Sequence, residues 1–119
     1  MVDRILEVTR PGDLVLAPDA VSITLAVTTT DVRAVAPRDY YLANLRGQPG
    51  FHYAERLRLV RYVNDDNGWR TPGIAQALHT LGVRVVCLPV LDHRRVGVVE
   101  AAGYTPFLRS SAYRCLQRT

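Results

Sequence analysis

The residues of this chain that could do chemistry collect just past the ends of apolar segments. Asp19 follows Leu14-Val15-Leu16-Ala17-Pro18. Arg38 and Asp39 follow residues 32–36, which Pro37 closes, and Asp92-His93-Arg94-Arg95 follow residues 83–91. In open α/β sheets, ligands bind outside the carboxyl ends of the strands, where the strand order reverses. Asp19, Arg38, Asp39, Asp92, His93 and Arg94 are therefore the candidate ligand-binding residues. Carboxylates, an imidazole and guanidiniums gathered at one edge can hold the hydroxyls of a sugar or the oxygens of a phosphate. Loop ends are polar in any fold, and Asp19 and Asp39 also suit helix caps. The constellation thus points to a ligand chemistry and names no reaction.

Several reactions are excluded outright. All 15 basic residues are arginine, so no lysine can form a Schiff base, hold pyridoxal phosphate or complete a P-loop. The turn after the first apolar strand is Pro18-Asp19-Ala20 rather than a glycine-rich loop, and an acidic residue there repels a pyrophosphate, which argues against NAD or FAD. Ser22, Ser110 and Ser111 are the only serines, and none sits at a Gly-x-Ser-x-Gly elbow. His52, His79 and His93 lack metal-ligand spacing, and Asn64-Asp65-Asp66-Asn67-Gly68 lacks the closing acidic residue of a calcium loop. No cofactor, metal or catalytic residue is expected in this chain.

The elements that must position the cluster follow from apolar patterning. Residues 14–17 are apolar without alternation and flanked by Gly-Asp and Pro-Asp, as in a strand covered on both faces. They are expected to form the central strand. A short helix at residues 2–8 precedes them. Asp19 would cap a helix at 20–27, whose β-branched content also suits a strand. A second strand is expected at 32–36 and a short helix at 38–45. Tyr53, Leu57, Val60 and Val63 form one helical stripe over 53–63. Thr71 as N-cap, Pro72 as first residue and Gly82 as stop define a helix over 71–81. The apolar strand 83–91 follows at once, the pattern of a βαβ unit. A helix at 96–102 and two strands within 104–117, turning at Ser110-Ser111, complete the chain. The expected fold is a single Rossmann-like, three-layer α/β domain over residues 1–119, its mainly parallel sheet ending in an antiparallel hairpin.

Charge and cysteine usage narrow the partners. The formal net charge is +4, which raises nucleic acid and anionic membrane surfaces. Arg56, Arg58 and Arg61 lack interleaved aromatic platforms and are flanked by Glu55, Asp65 and Asp66, so nucleic acid is not the expected partner. A solvated face suits this strip better, with acidic lipid headgroups the second choice. Cys87 and Cys115 both fall in strands, where buried free thiols are the default. Outside the cytoplasm a single Cys87–Cys115 bridge is the alternative. No apolar run approaches the roughly 18 residues that a membrane span requires.

The order of segments resembles a known arrangement. Pro11-Gly12-Asp13-Leu14-Val15-Leu16-Ala17-Pro18, then Ala77-Leu78-His79-Thr80-Leu81-Gly82-Val83-Arg84-Val85-Val86-Cys87-Leu88, then Ala102-Gly103-Tyr104 and Ala112-Tyr113-Arg114-Cys115-Leu116, carry the likeness. Together they are similar to soluble α/β domains that follow the membrane spans of polytopic glycosyltransferase-like proteins, especially actinobacterial ones. The resemblance covers most of the chain, through structural motifs. In such proteins the catalytic carboxylates lie in the membrane part, so no catalytic residue carries over. It implies an excised, extracytoplasmic, non-catalytic accessory domain, tethered by its N-terminus to its own membrane-spanning region. Such a domain would help position an acceptor, a sugar or a lipid-linked sugar. The alternative is a small stand-alone cytoplasmic enzyme or binding protein acting on a sugar or phosphorylated metabolite.

Overall fold

A computed structural model describes residues 2–10, 12–18, 33–34, 52–65 and 67–119. Helix α1 spans Val2–Val8 and leads through a turn, with Gly12 at φ 89°, into β1 at Leu14–Leu16. Asp13 shapes that turn, its carboxylate accepting the Arg10 N–H at 2.8 Å. Strand β2 is Arg33–Ala34 and helix α2 is Tyr53–Asn64. A single 3₁₀ turn, Gly68–Arg70, precedes α3 at Ile74–Leu81. Strand β3 is Val83–Pro89, α4 is His93–Ala101, and the hairpin strands are β4 at Tyr104–Arg109 and β5 at Tyr113–Arg118. The helices expected at 20–27 and 38–45 lie outside the described residues.

Among the described residues the sheet has five strands in the order β2-β1-β3-β5-β4. Strand β1 pairs in parallel with both β2 and β3, while β3–β5 and β5–β4 are antiparallel. The sheet is therefore mixed rather than mainly parallel, because the C-terminal hairpin supplies half of the ladders. Leu14–Leu16 is an interior strand with a neighbour on each side, and the middle of the order falls to β3.

Strand pleating divides the core. Leu16, Val86, Leu88 and Leu116 face one cluster, packed against Leu59, Val60, Tyr62 and Val63 of α2, Ile74, Ala77 and Leu78 of α3, and Val96 and Val99 of α4. Val15, Ala17, Val85, Cys87 and Cys115 face the other, with Ile5 of α1. Alternate residues of one strand thus serve opposite faces, which is why β1 and β3 show no polar alternation. Burying each aliphatic side chain contributes about 1.5–3 kcal/mol.

Arg84 interrupts the β1–β3 ladder. Leu14 pairs with Val83 and Val15 with Val85, so Arg84 is the extra residue of a bulge. Across β3 and β5, Cys87 lies directly opposite Cys115, and the two form a disulfide with Cα atoms 4.1 Å apart. Both are fully buried. Of the two states the sequence allows, free thiols or a single bridge, the pairing of adjacent strands gives the bridge.

Two helix starts differ from expectation. Helix α3 begins at Ile74 with Gly73 as N-cap at φ 73°, not at Thr71 and Pro72. Thr71 closes the 3₁₀ turn instead, its N–H bonding the Gly68 carbonyl at 2.9 Å. Helix α4 begins at His93 rather than Val96, because Asp92 caps it by accepting the Arg95 N–H at 3.1 Å.

Candidate functional site

The site is built at the carboxyl end of β3. Pro89 ends the strand, and the Asp92 N–H bonds back to its carbonyl at 3.1 Å. The turn is pinned to the hairpin by the Val90 N–H, which meets the Ala112 carbonyl at 2.9 Å. Asp92 then starts α4, so His93 and Arg94 stand in the first helical turn and both are exposed. Trp69 approaches from the 3₁₀ turn. With Pro89, Leu91, Asp92, His93, Arg94 and Arg95 it lines an open cleft of about 580 Å³.

Trp69 is the centre of this surface. The Arg94 guanidinium lies 4.4 Å from its ring centroid and that of Arg70 lies 4.9 Å away. Cation–π contacts of this kind contribute roughly 0.5–1 kcal/mol when exposed, and they hold two positive groups against one indole ring. Among the described residues, neither arginine meets a carboxylate. Leu91 stands at the rim, 75% exposed.

Asp92 and Arg95 have a different role. Arg95 is buried, and its guanidinium reaches the Asp92 carboxylate, the Tyr62 carbonyl at 2.7 Å and the Asp65 carbonyl at 2.5 Å. It therefore satisfies carbonyls at the C-terminal end of α2, where a cation also suits the helix dipole. Tyr62 returns a bond from its hydroxyl to the Arg95 carbonyl at 2.6 Å. Burial pushes the Tyr62 phenol well above its ordinary range, with the Arg95 charge opposing the rise. Asp92 is thus engaged as helix cap and ion-pair partner.

The structure brings Asp92, His93 and Arg94 to one cleft, whereas Asp19, Arg38 and Asp39 lie outside the described residues. Trp69 and Arg70 were not among the sequence candidates. The signal available for them was the lone tryptophan of the chain standing beside an arginine in a polar turn. His79, expected to be solvated, uses its exposed ring to donate from Nε2 to the Ala102 carbonyl at 3.0 Å. Among the described residues, no group of three or more His, Cys, Asp or Glu could hold a metal ion, and no helix is long and apolar enough to cross a membrane. No protein-family model, curated protein or solved structure matches the chain.

Proposed function

We propose that this chain is a non-catalytic, ligand-positioning domain of a membrane glycosyltransferase-like protein, and that its cleft at the carboxyl edge of β3 holds a sugar bearing a phosphate. The observation that carries this reading is Trp69 with Arg94 and Arg70 against it. The indole ring holds the two guanidiniums that stack over it, their N–H groups take up phosphate oxygens as charge-assisted hydrogen bonds, and the apolar edge of the ring meets the C–H face of the sugar. His93 on the same wall adds a further hydrogen-bonding group.

In this reading the architecture is Rossmann-like and three-layered. The interior place of β1 and the two clusters on opposite sheet faces support it. The ligand then sits at the strand ends, where open α/β sheets bind theirs. The buried Cys87–Cys115 bridge supports an extracytoplasmic location, since such bonds persist in oxidising compartments. Asp92, already committed to Arg95, supports positioning over acid–base chemistry. The parent's membrane-spanning region is the proposed partner.

The test is calorimetric titration with sugar 1-phosphates, the free sugars and inorganic phosphate. Saturable binding of a sugar phosphate, weakened about tenfold or more by Trp69→Ala and by Arg94→Ala, supports the site. No binding by any of them, or binding that both variants retain, overturns it.

A further inference from the structure

A second cleft lies at the opposite end of β3, and nothing in the function proposed above uses it. Arg10, Asp13, Arg84 and Arg118 line a polar space of about 250 Å³ there. These four come from three places in the chain. Arg10 and Asp13 belong to the turn between α1 and β1, Arg84 to the bulge at the start of β3, and Arg118 to the end of β5. Topology brings them together because β1 and β3 start at the edge where the antiparallel β5 finishes.

The guanidinium of Arg84 is held in place. Its Nε donates to the Val8 carbonyl at 3.2 Å and its Nη1 to the Arg118 carbonyl at 2.9 Å. Both partners are main-chain atoms, so the bonds fix the plane of the fork without neutralising its charge. Three of its five N–H groups remain for a further acceptor. A bulge re-aims the side chain it carries, and here the side chain is this arginine. Among the described residues Asp13 is the sole carboxylate lining the cleft, and it already accepts the Arg10 main-chain N–H. Three guanidiniums against one carboxylate leave a net positive concavity that a compact oxyanion would neutralise.

We propose that Arg10, Arg84 and Arg118 form a second anion site, specific for a phosphate-type dianion and independent of the Trp69 cleft. A phosphate monoester offers three oxygens to the fork of Arg84 and to the two flanking arginines. The same group occurs on a soluble metabolite and on a phosphatidic-acid headgroup, so the experiment has two arms. One titrates inorganic phosphate at low ionic strength by calorimetry. The other sediments the protein with phosphatidylcholine vesicles that contain phosphatidic acid.

Arg10→Gln and Arg118→Gln remove charges while keeping the main-chain bonds of those residues. Each is expected to weaken binding about tenfold in whichever arm shows it. Asp13→Asn keeps an acceptor for the Arg10 N–H, removes the one negative charge and tightens binding. Arg109→Gln, the same charge change on the edge hairpin, leaves binding unchanged. Binding with this pattern supports the site, and the arm in which it appears identifies the source. Absence of binding in both arms overturns it, as does binding that Arg10→Gln and Arg118→Gln leave intact.

Discussion

Tyr62 and Arg95, 33 residues apart, each use a side chain to satisfy the other's main-chain carbonyl. Arg95 Nε donates at 2.7 Å and Tyr62 Oη donates at 2.6 Å. The exchange locks the last turn of α2 against the first turn of α4, and α4 carries His93 and Arg94. Tyr62→Phe removes the donor that reaches the Arg95 carbonyl from across the helix pair and is expected to cost about 1 kcal/mol. Arg95→Ala also strands Asp92 and the Asp65 carbonyl, and about 3 kcal/mol is expected. Urea unfolding of both variants measures the difference.

Two buried phenols make stability depend on alkaline pH. Burial raises the pKa of Tyr62 and of Tyr104, whose hydroxyl donates to the Val83 carbonyl at 2.5 Å. In the unfolded chain both phenols ionise near the ordinary value of about 10. Above that pH the unfolded state sheds protons that the folded state keeps, so stability falls as pH rises. Below it the two states are equally protonated at these groups, and their full contribution is present. The urea midpoint should decline from about pH 10 upward, and less steeply in Tyr62→Phe.

The Cys87–Cys115 bridge closes a separation of 28 residues between two strands of the core. Loop-closure entropy assigns such a bridge roughly 3–4 kcal/mol. Thiol titration in denaturant should find no free thiol before reduction and two after it. The Cys87→Ala/Cys115→Ala double variant should lose about 3 kcal/mol in non-reducing urea titrations. Adding reductant should not lower it further.

Gly68 and Gly97 should respond to alanine in opposite directions. A Cβ at Gly68 would stand 2.2 Å from the Arg61 carbonyl oxygen and 2.7 Å from that of Tyr62, and main chain cannot yield as a side-chain tip does. Gly68→Ala is expected to cost about 1–3 kcal/mol. Gly97 lies within α4 with nothing within 4 Å of its would-be Cβ. Gly97→Ala should gain about 0.5–1 kcal/mol, by helix propensity. Thermal melts of the two variants provide the comparison.

How far the sequence revealed this arrangement depended on how local each signal was. Gly82, in the left-handed region at φ 63°, marked the end of α3, and the apolar run after it marked β3. The hairpin turn at Ser110-Ser111 was equally plain, with the Ser110 hydroxyl accepting the Tyr113 N–H at 3.0 Å. Thr71 and Pro72 misled because the chain closes the 3₁₀ turn at Thr71 and enters α3 only after Gly73, whose positive φ sets the start of the helix. At the site, the polar run Asp92–Arg95 was visible, yet its division of labour was not. Arg94 faces the cleft, whereas Arg95 turns inward to α2, a difference fixed by helical phase once Asp92 is the cap. Trp69 and the disulfide depend on contacts between distant segments, which local patterning does not encode.

Trp69 is the only tryptophan in the chain, so its emission reports on the cleft alone. The most direct measurement is therefore a fluorescence titration of the intact protein with a sugar 1-phosphate, repeated on Arg94→Ala. A saturable change in emission is expected, with a midpoint that moves about tenfold or more to higher concentration in the variant. Emission that stays unchanged at saturating ligand, or an identical midpoint in Arg94→Ala, would contradict it.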